Sequence, residues 1–103
     1  MHVYTFVRKD LPINHQIVQA CHSALEAGSS FKKCGDIPNL VLLQVEDEDH
    51  LDKTSELLFD KKIRFHKFYE PDNDMGFSSI TTEPLDAETK KALSNYKLWR
   101  APK

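Results

Sequence analysis

A chain of 103 residues with 14 Lys plus Arg against 16 Asp plus Glu, a formal charge of −2, and 40% apolar and 10% aromatic residues is expected to make one small globular domain, residues 1–103, around a single core. The near balance of charge excludes a protein that coats nucleic acid through bulk electrostatics, while a local basic patch stays open. No apolar run approaches the ~20 residues that cross a bilayer, and the opening lacks the basic start and long apolar stretch of a signal peptide, so a cytoplasmic protein with no membrane partner is expected. Cys21 and Cys34 match neither a CxxC redox pair nor a four-ligand zinc spacing, and reduced thiols are the expectation.

Residues 2–7 mix β-branched and aromatic side chains in a short run, the pattern of a buried strand, and Arg8, Lys9 and Asp10 mark its exposed carboxyl end. After Leu11-Pro12-Ile13, Asn14 is a good N-cap, and Ile17, Ala20, Cys21, Ala24, Leu25 and Gly28 recur at three- and four-residue spacing, giving a first helix that ends near Gly28. Ala20, Ala24 and Gly28 are expected to form its buried stripe. His15, Gln19, His22 and Glu26 make a neighbouring polar arc. Residues 29–38 read as a loop, and the apolar run Leu40–Val45 as the second strand.

Asp47 or Asp49 caps a second helix with Leu51, Thr54, Leu57 and Leu58 inside and Lys61-Lys62 at its negative end. Residues 63–69 form a third strand, Glu70–Gly76 an acidic turn, and residues 77–82 a fourth strand antiparallel to the third. Asp86 caps a last helix through Leu93, and the tail, with Lys90, Lys91, Lys97, Arg100 and Lys103, is the main basic region. The order β-α-β-α-β-β-α gives a largely parallel sheet with one antiparallel strand and helices on both faces. Ligands of such sheets gather at the carboxyl ends of the strands.

That end collects Arg8, Lys9 and Asp10 beside the start of the first helix, with Asn14, His15 and Gln16, where free backbone N–H groups can hold an anion. A parallel third strand delivers Glu70, Asp72 and Asp74 to the same side, and a histidine beside a carboxylate is a candidate general base. Glu70-Pro71-Asp72-Asn73-Asp74 is equally an ordinary polar turn. The glycine and terminal glutamate of a calcium loop are missing, and the sequence has no GxGxxG, phosphate-binding loop, HExxH or GxSxG. No metal or cofactor is therefore expected.

The strand ending Val7-Arg8-Lys9-Asp10-Leu11, the helix containing Gln19-Ala20-Cys21-His22-Ser23-Ala24, and the later Thr82-Glu83-Pro84, Asp86-Ala87-Glu88 and Tyr96-Lys97-Leu98-Trp99 together resemble the archaeal and eukaryotic type of peptidyl-tRNA hydrolase over nearly the whole chain. The resemblance implies an α/β fold, a three-layer α/β/α sandwich on a four-stranded mixed sheet of order 2-1-4-3 with strand 4 antiparallel. It also implies hydrolysis of the ester between a peptide, or an N-blocked amino acid, and tRNA. The family uses a lysine at the start of the first helix, an aspartate after the third strand and nearby threonines. Here the loop after Leu11 is about two residues shorter, His15 stands at the lysine position, Glu70 at the aspartate, Asp74 near one threonine and Ser78 near the other. The implied catalytic set is His15 as base, Glu70 to orient it, Asp10, and Ser78 as oxyanion donor. Arg8, Lys9, Asn14, Gln19, His22 and Asp74 would bind substrate, with Lys32, Lys33 and the basic tail on the tRNA backbone.

Two other readings stand beside this one: a non-catalytic relative of the fold acting as a binding module, and a hydrolase of another acyl substrate. Phe31, Phe77, Tyr96 and Trp99 either complete a core or form a self-complementary patch that would make a homodimer.

Overall fold

The β-branched and aromatic run His2–Arg8 forms β1, near the middle of the sheet in the computed structural model, which describes residues 1–31 and 35–101. It pairs in parallel with β2 (Asn39–Val45) from His2↔Asn39 to Arg8↔Val45, and antiparallel with β4 (Gly76–Thr82) through Thr5↔Thr81, Phe6↔Ile80 and Val7↔Ser79. β3 (Phe65–Glu70) lies antiparallel outside β4, and a two-residue β5 (Lys97–Leu98) lies antiparallel outside β2, giving one mixed sheet of order β3-β4-β1-β2-β5. The expected order 2-1-4-3 is contained in it. The expected four strands become five because Trp99 N–H donates to the Leu42 carbonyl and the tail closes the free edge of β2.

Helix α1 (Ile13–Ser30) joins β1 to β2, and α2 (Glu48–Asp60) joins β2 to β3. The pleat sends Phe6 and Ile80 to one face, where they pack with Leu43, Val45, Leu51, Leu58, Ile63, Leu85 and Leu93 into the apolar core, edged by Tyr4, Phe65, Phe77 and Tyr96. Thr5 and Thr81 point to the other face, and α1 lies there. Asp47 caps α2 as expected, its side chain accepting from His50 N–H at 2.9 Å.

The α1 expectations need three corrections. Asn14 does not cap the helix, because Pro12 occupies that position without a side-chain bond and Gln16 donates its amide to the Lys9 and Leu11 carbonyls instead. The helix continues past Gly28 to Ser30. Its buried residues are Gln16, Gln19, Ser23 and Ala27, while Ala20 and Ala24 are half-buried and Gly28 is exposed. The polar side faces the sheet because that face of β4 and β1 carries hydroxyls: Ser23 Oγ and Thr5 Oγ1 each lie 2.8 Å from Thr81 Oγ1, and Ser79 Oγ donates to the Gln19 carbonyl at 2.8 Å.

Two further elements are shorter than expected. The last helix is a 3₁₀ turn, Thr89–Leu93, nucleated by Asp86, which accepts from Thr89 N–H at 2.7 Å; that backbone bond, with a second from the Thr89 side chain, holds the Asp86 carboxyl below its ordinary range. β3 begins at Phe65 because Lys62 takes a left-handed turn (φ 59°) and Ile63 N–H closes back on the Leu58 carbonyl. Among the described residues no helix is long and apolar enough to cross a membrane.

Candidate functional site

The carboxyl ends of β1 and β3 and the start of α1 do share one end of the molecule, so the topology assembles the expected residues into two bonded groups. Arg8, buried at 8% exposure, grips Asp10 with Nε to Oδ1 at 2.9 Å and Nη2 to Oδ2 at 2.8 Å, and its Nη1 donates to the Met75 and Phe77 carbonyls at 2.6 and 3.0 Å. The Asp10 hydrogen bond is the main cause that raises the guanidinium pKa further, against the opposing effect of burial and with help from the charges of Asp10, Glu48 and Asp47. Arg8 is therefore a permanent cation whose donors already hold the β3–β4 turn.

The second group centres on Gln19. Its Nε2 donates to Glu70 Oε2 at 3.3 Å, its Oε1 accepts from Ser78 Oγ at 2.7 Å, and the other Glu70 oxygen accepts from Asp72 N–H at 3.1 Å. Ser78 is fully buried. Its hydroxyl faces the interior, donated to Gln19. His15 is half-buried in the first turn of α1, one turn before Gln19 on the same helical face.

The remaining expected residues spread out from there. His22 tilts over the Phe68 ring at a centroid distance of 4.3 Å. Lys9 Nζ donates to the Arg100 carbonyl and lies 5.2 Å from the Trp99 ring centroid. Asn14 is exposed, and Asp74 is exposed in the turn with φ 52°. Lys32, Lys33, Cys34 and Lys103 lie outside the described residues. Among the described residues no group of three His, Cys, Asp or Glu side chains is placed to hold a metal ion.

The polar arc seen in the sequence is thus the seam between α1 and β3: Gln19 meets Glu70, His22 meets Phe68, and Glu26 meets His66 with Oε2 3.2 Å from Nδ1. Because that arc and Gln16, Ser23 and Ala27 turn inward, the apolar residues of α1 turn outward. Ile17 is 53% exposed, Val18 55% and Leu25 70%, and Cys21 is exposed between them. α1 covers β3, β4 and β1 and stops short of β2, whose Leu40 and Leu42 share the pleat face of Val3 and Thr5.

A cleft runs along this uncovered strip. One end, about 190 Å³, is walled by Ile17, Cys21, Ala24, Leu40, Leu42 and Trp99, whose indole N–H donates to Gln16 Oε1 at 2.7 Å. The other, about 470 Å³, lies among Val3, Ala24, Ala27, Phe31, Leu40 and Pro84. Ala24 and Leu40 line both, and none of His15, Glu70, Asp10 and Ser78 lines either. The exposed stripe was visible in the sequence as the spacing of Ile17, Cys21 and Leu25; the hydroxyls that claim the other side of the helix lie about 60 residues further along the chain.

No family model and no curated protein matches the chain. Among solved structures it is similar to Atu0240, a protein of unknown function from Agrobacterium tumefaciens strain C58, with a TM-score of 0.69 over 96% of this chain and 97% of that one at 11% identity. At that identity the likeness is one of fold, an α/β arrangement with helices packed on an open mixed sheet.

Proposed function

We propose that this chain is a protein-interaction module, a binding relative of the hydrolase-like scaffold, that assembles through the outer face of α1 and the adjoining strip of β2, with a second copy of itself as the partner. The observation that carries this reading is the inversion of α1: its hydrogen-bonding side is spent on the sheet and its apolar ridge, Ile13, Ile17, Cys21 and Leu25, is left in water. That ridge extends for about 18 Å along the helix, longer than a small ligand needs. Half-exposed or nearly so, these side chains with Val18 and Leu40 keep on the order of 500 Å² of apolar surface wet, the size of patch that marks a contact site. With the small residues and polar rim around them, a like face covers the roughly 800 Å² per partner of a standard interface.

Charge favours a like partner. Glu26 is the one formally charged residue of α1 and pairs with His66, so the apolar ridge itself carries no charge and meets its own copy without repulsion, while Asp36 lines the adjoining cleft. The same neutrality disfavours tRNA phosphates there. At the other end, Asp10, Glu70 and Ser78 are bonded to Arg8, Gln19 and the Asp72 amide, which supports binding over tRNA ester hydrolysis.

Sedimentation velocity tests the reading. The wild type is expected to be a dimer at micromolar concentration, and Ile17→Glu, at a solvent-exposed position that leaves the fold intact by circular dichroism, to weaken association at least about a hundredfold. A wild type that stays monomeric up to ~100 μM, well above the micromolar range of a weak specific dimer, would overturn it. Release of labelled amino acid from N-blocked aminoacyl-tRNA, faster than buffer and lost in both His15→Ala and Glu70→Gln, would instead restore the hydrolase reading.

A further inference from the structure

At the opposite end of the sheet from Arg8 and Glu70, three side chains stand in a nucleophile, base and carboxylate order. Ser30, exposed as the last residue of α1, has its Oγ 2.9 Å from His66 Nε2, and His66 Nδ1 lies 3.2 Å from Glu26 Oε2. Glu26 and Ser30 are four residues apart on one helical face, and His66 projects from β3 between them. A carboxylate only accepts, so the neutral imidazole carries its proton on Nδ1 and offers Nε2 as the acceptor for the serine hydroxyl. That tautomer makes His66 the base for Ser30 and Glu26 the group that orients the ring.

The constellation opens on a cleft of about 790 Å³ walled by Phe31, Phe59, Ile63 and Phe65, with Ser30 and His66 on its lining. Arg64 lies on the same lining and holds its guanidinium 5.4 Å from the Phe31 ring, over the residue that follows Ser30. The walls suit an apolar acyl group and the guanidinium suits a developing oxyanion.

We propose that Ser30, His66 and Glu26 form an esterase site for apolar carboxylic esters, independent of the α1 interface proposed above. Ser30 Oγ adds to the ester carbonyl carbon as its proton passes to His66 Nε2. The tetrahedral adduct collapses with cleavage of the acyl C–O bond, and the departing alkoxide takes that proton from His66, leaving an acyl-serine. Water, losing a proton to His66, then attacks the acyl carbon; cleavage of the Oγ–acyl bond returns the proton to Ser30 and releases the acid. The sum is ester plus water to acid plus alcohol. Ser30 and His66 are the catalytic residues, and Glu26 is a positioning residue.

The test is hydrolysis of 4-nitrophenyl butyrate by the full chain, together with labelling by an alkyl fluorophosphonate and peptide mass mapping. Expected are a nitrophenolate burst of no more than one equivalent per chain, the label on Ser30, and a loss of turnover of at least about a hundredfold in Ser30→Ala and in His66→Gln. Glu26→Gln is expected to lower kcat at unchanged KM and to slow labelling, with partial recovery in Glu26→Asp. Ser30→Ala removes only an exposed hydroxyl oxygen and so keeps the fold. Turnover in Ser30→Ala equal to wild type, a label on another residue, or no turnover and no label in the wild type would each overturn the proposal.

Discussion

Gly76 shows how tightly single residues fix the end where β3 turns into β4. Its φ of 72° lies in the left-handed region, and a Cβ there would sit 2.4 Å from Glu48 Oε2, the oxygen that accepts from Phe77 N–H at 2.9 Å. An alanine therefore meets two costs: the backbone strain of a left-handed L-residue and displacement of the carboxylate that accepts from the Phe77 amide. Gly35 separates them, since its φ is 92° but an added Cβ meets nothing within 4 Å. Gly35→Ala is expected to cost about 1 kcal/mol by urea unfolding, and Gly76→Ala about 1–2 kcal/mol more. Equal losses in the two variants would show that the Glu48 to Phe77 bond contributes nothing. Arg8 works at the same place, since its Nη1 bonds to the Met75 and Phe77 carbonyls bracket Gly76. Arg8, marked by the sequence as a binding residue, here holds this turn in shape.

At the scale of elements, the two faces of the sheet are joined by different forces. α2 is held by apolar burial of Leu51 and Leu58, whereas α1 is held by Gln16, Gln19 and Ser23, with every buried side-chain polar atom among the described residues bonded. Such a seam is sensitive to losing one partner and tolerant of losing both. Gln19→Ala strands the buried Ser78 hydroxyl and is expected to cost about 2 kcal/mol, Ser78→Ala about 1, and the double variant at least ~0.5 less than their sum. Strict additivity would mean that the bond between them is not formed in solution. The seam also explains what the sequence made legible. β1, β2, α2 with its Asp47 cap, and the β3–β4 return follow from local apolar runs and turn residues. The face of α1 does not, because the rule that the apolar stripe points inward holds only when the opposing surface is apolar, and Ser79 and Thr81 make it otherwise. Likewise Glu26 and His66 were each visible, one in a polar arc and one in a strand, but their meeting with Ser30 depends on the register of α1 over β3.

For the whole molecule the decisive feature is how the sheet ends. In the tail, the main basic region of the sequence, Lys97-Leu98 pair with Gln44 and Leu43, Arg100 N–H donates to Gln44 Oε1 at 3.2 Å, and Trp99 closes one end of the cleft against α1. The tail thus does three things at once: it covers the β2 edge, gives Gln16 Oε1 its donor, and walls the surface proposed to hold a partner. A chain ending at Tyr96 loses all three, and Trp99→Ala loses the indole while keeping the strand. Burial of an indole and its hydrogen bond together contribute roughly 2–4 kcal/mol, so Trp99→Ala is expected to lower Tm by at least about 10 °C while staying in solution. The shortened chain is expected to melt at least as low and also to aggregate on concentration, because β2 then presents an open edge flanked by Leu40 and Leu42. Light scattering alongside thermal unfolding separates the two effects. Aggregation of both variants alike would place the protection in the indole. A shortened chain that stays dispersed would show that β5 does not guard the edge.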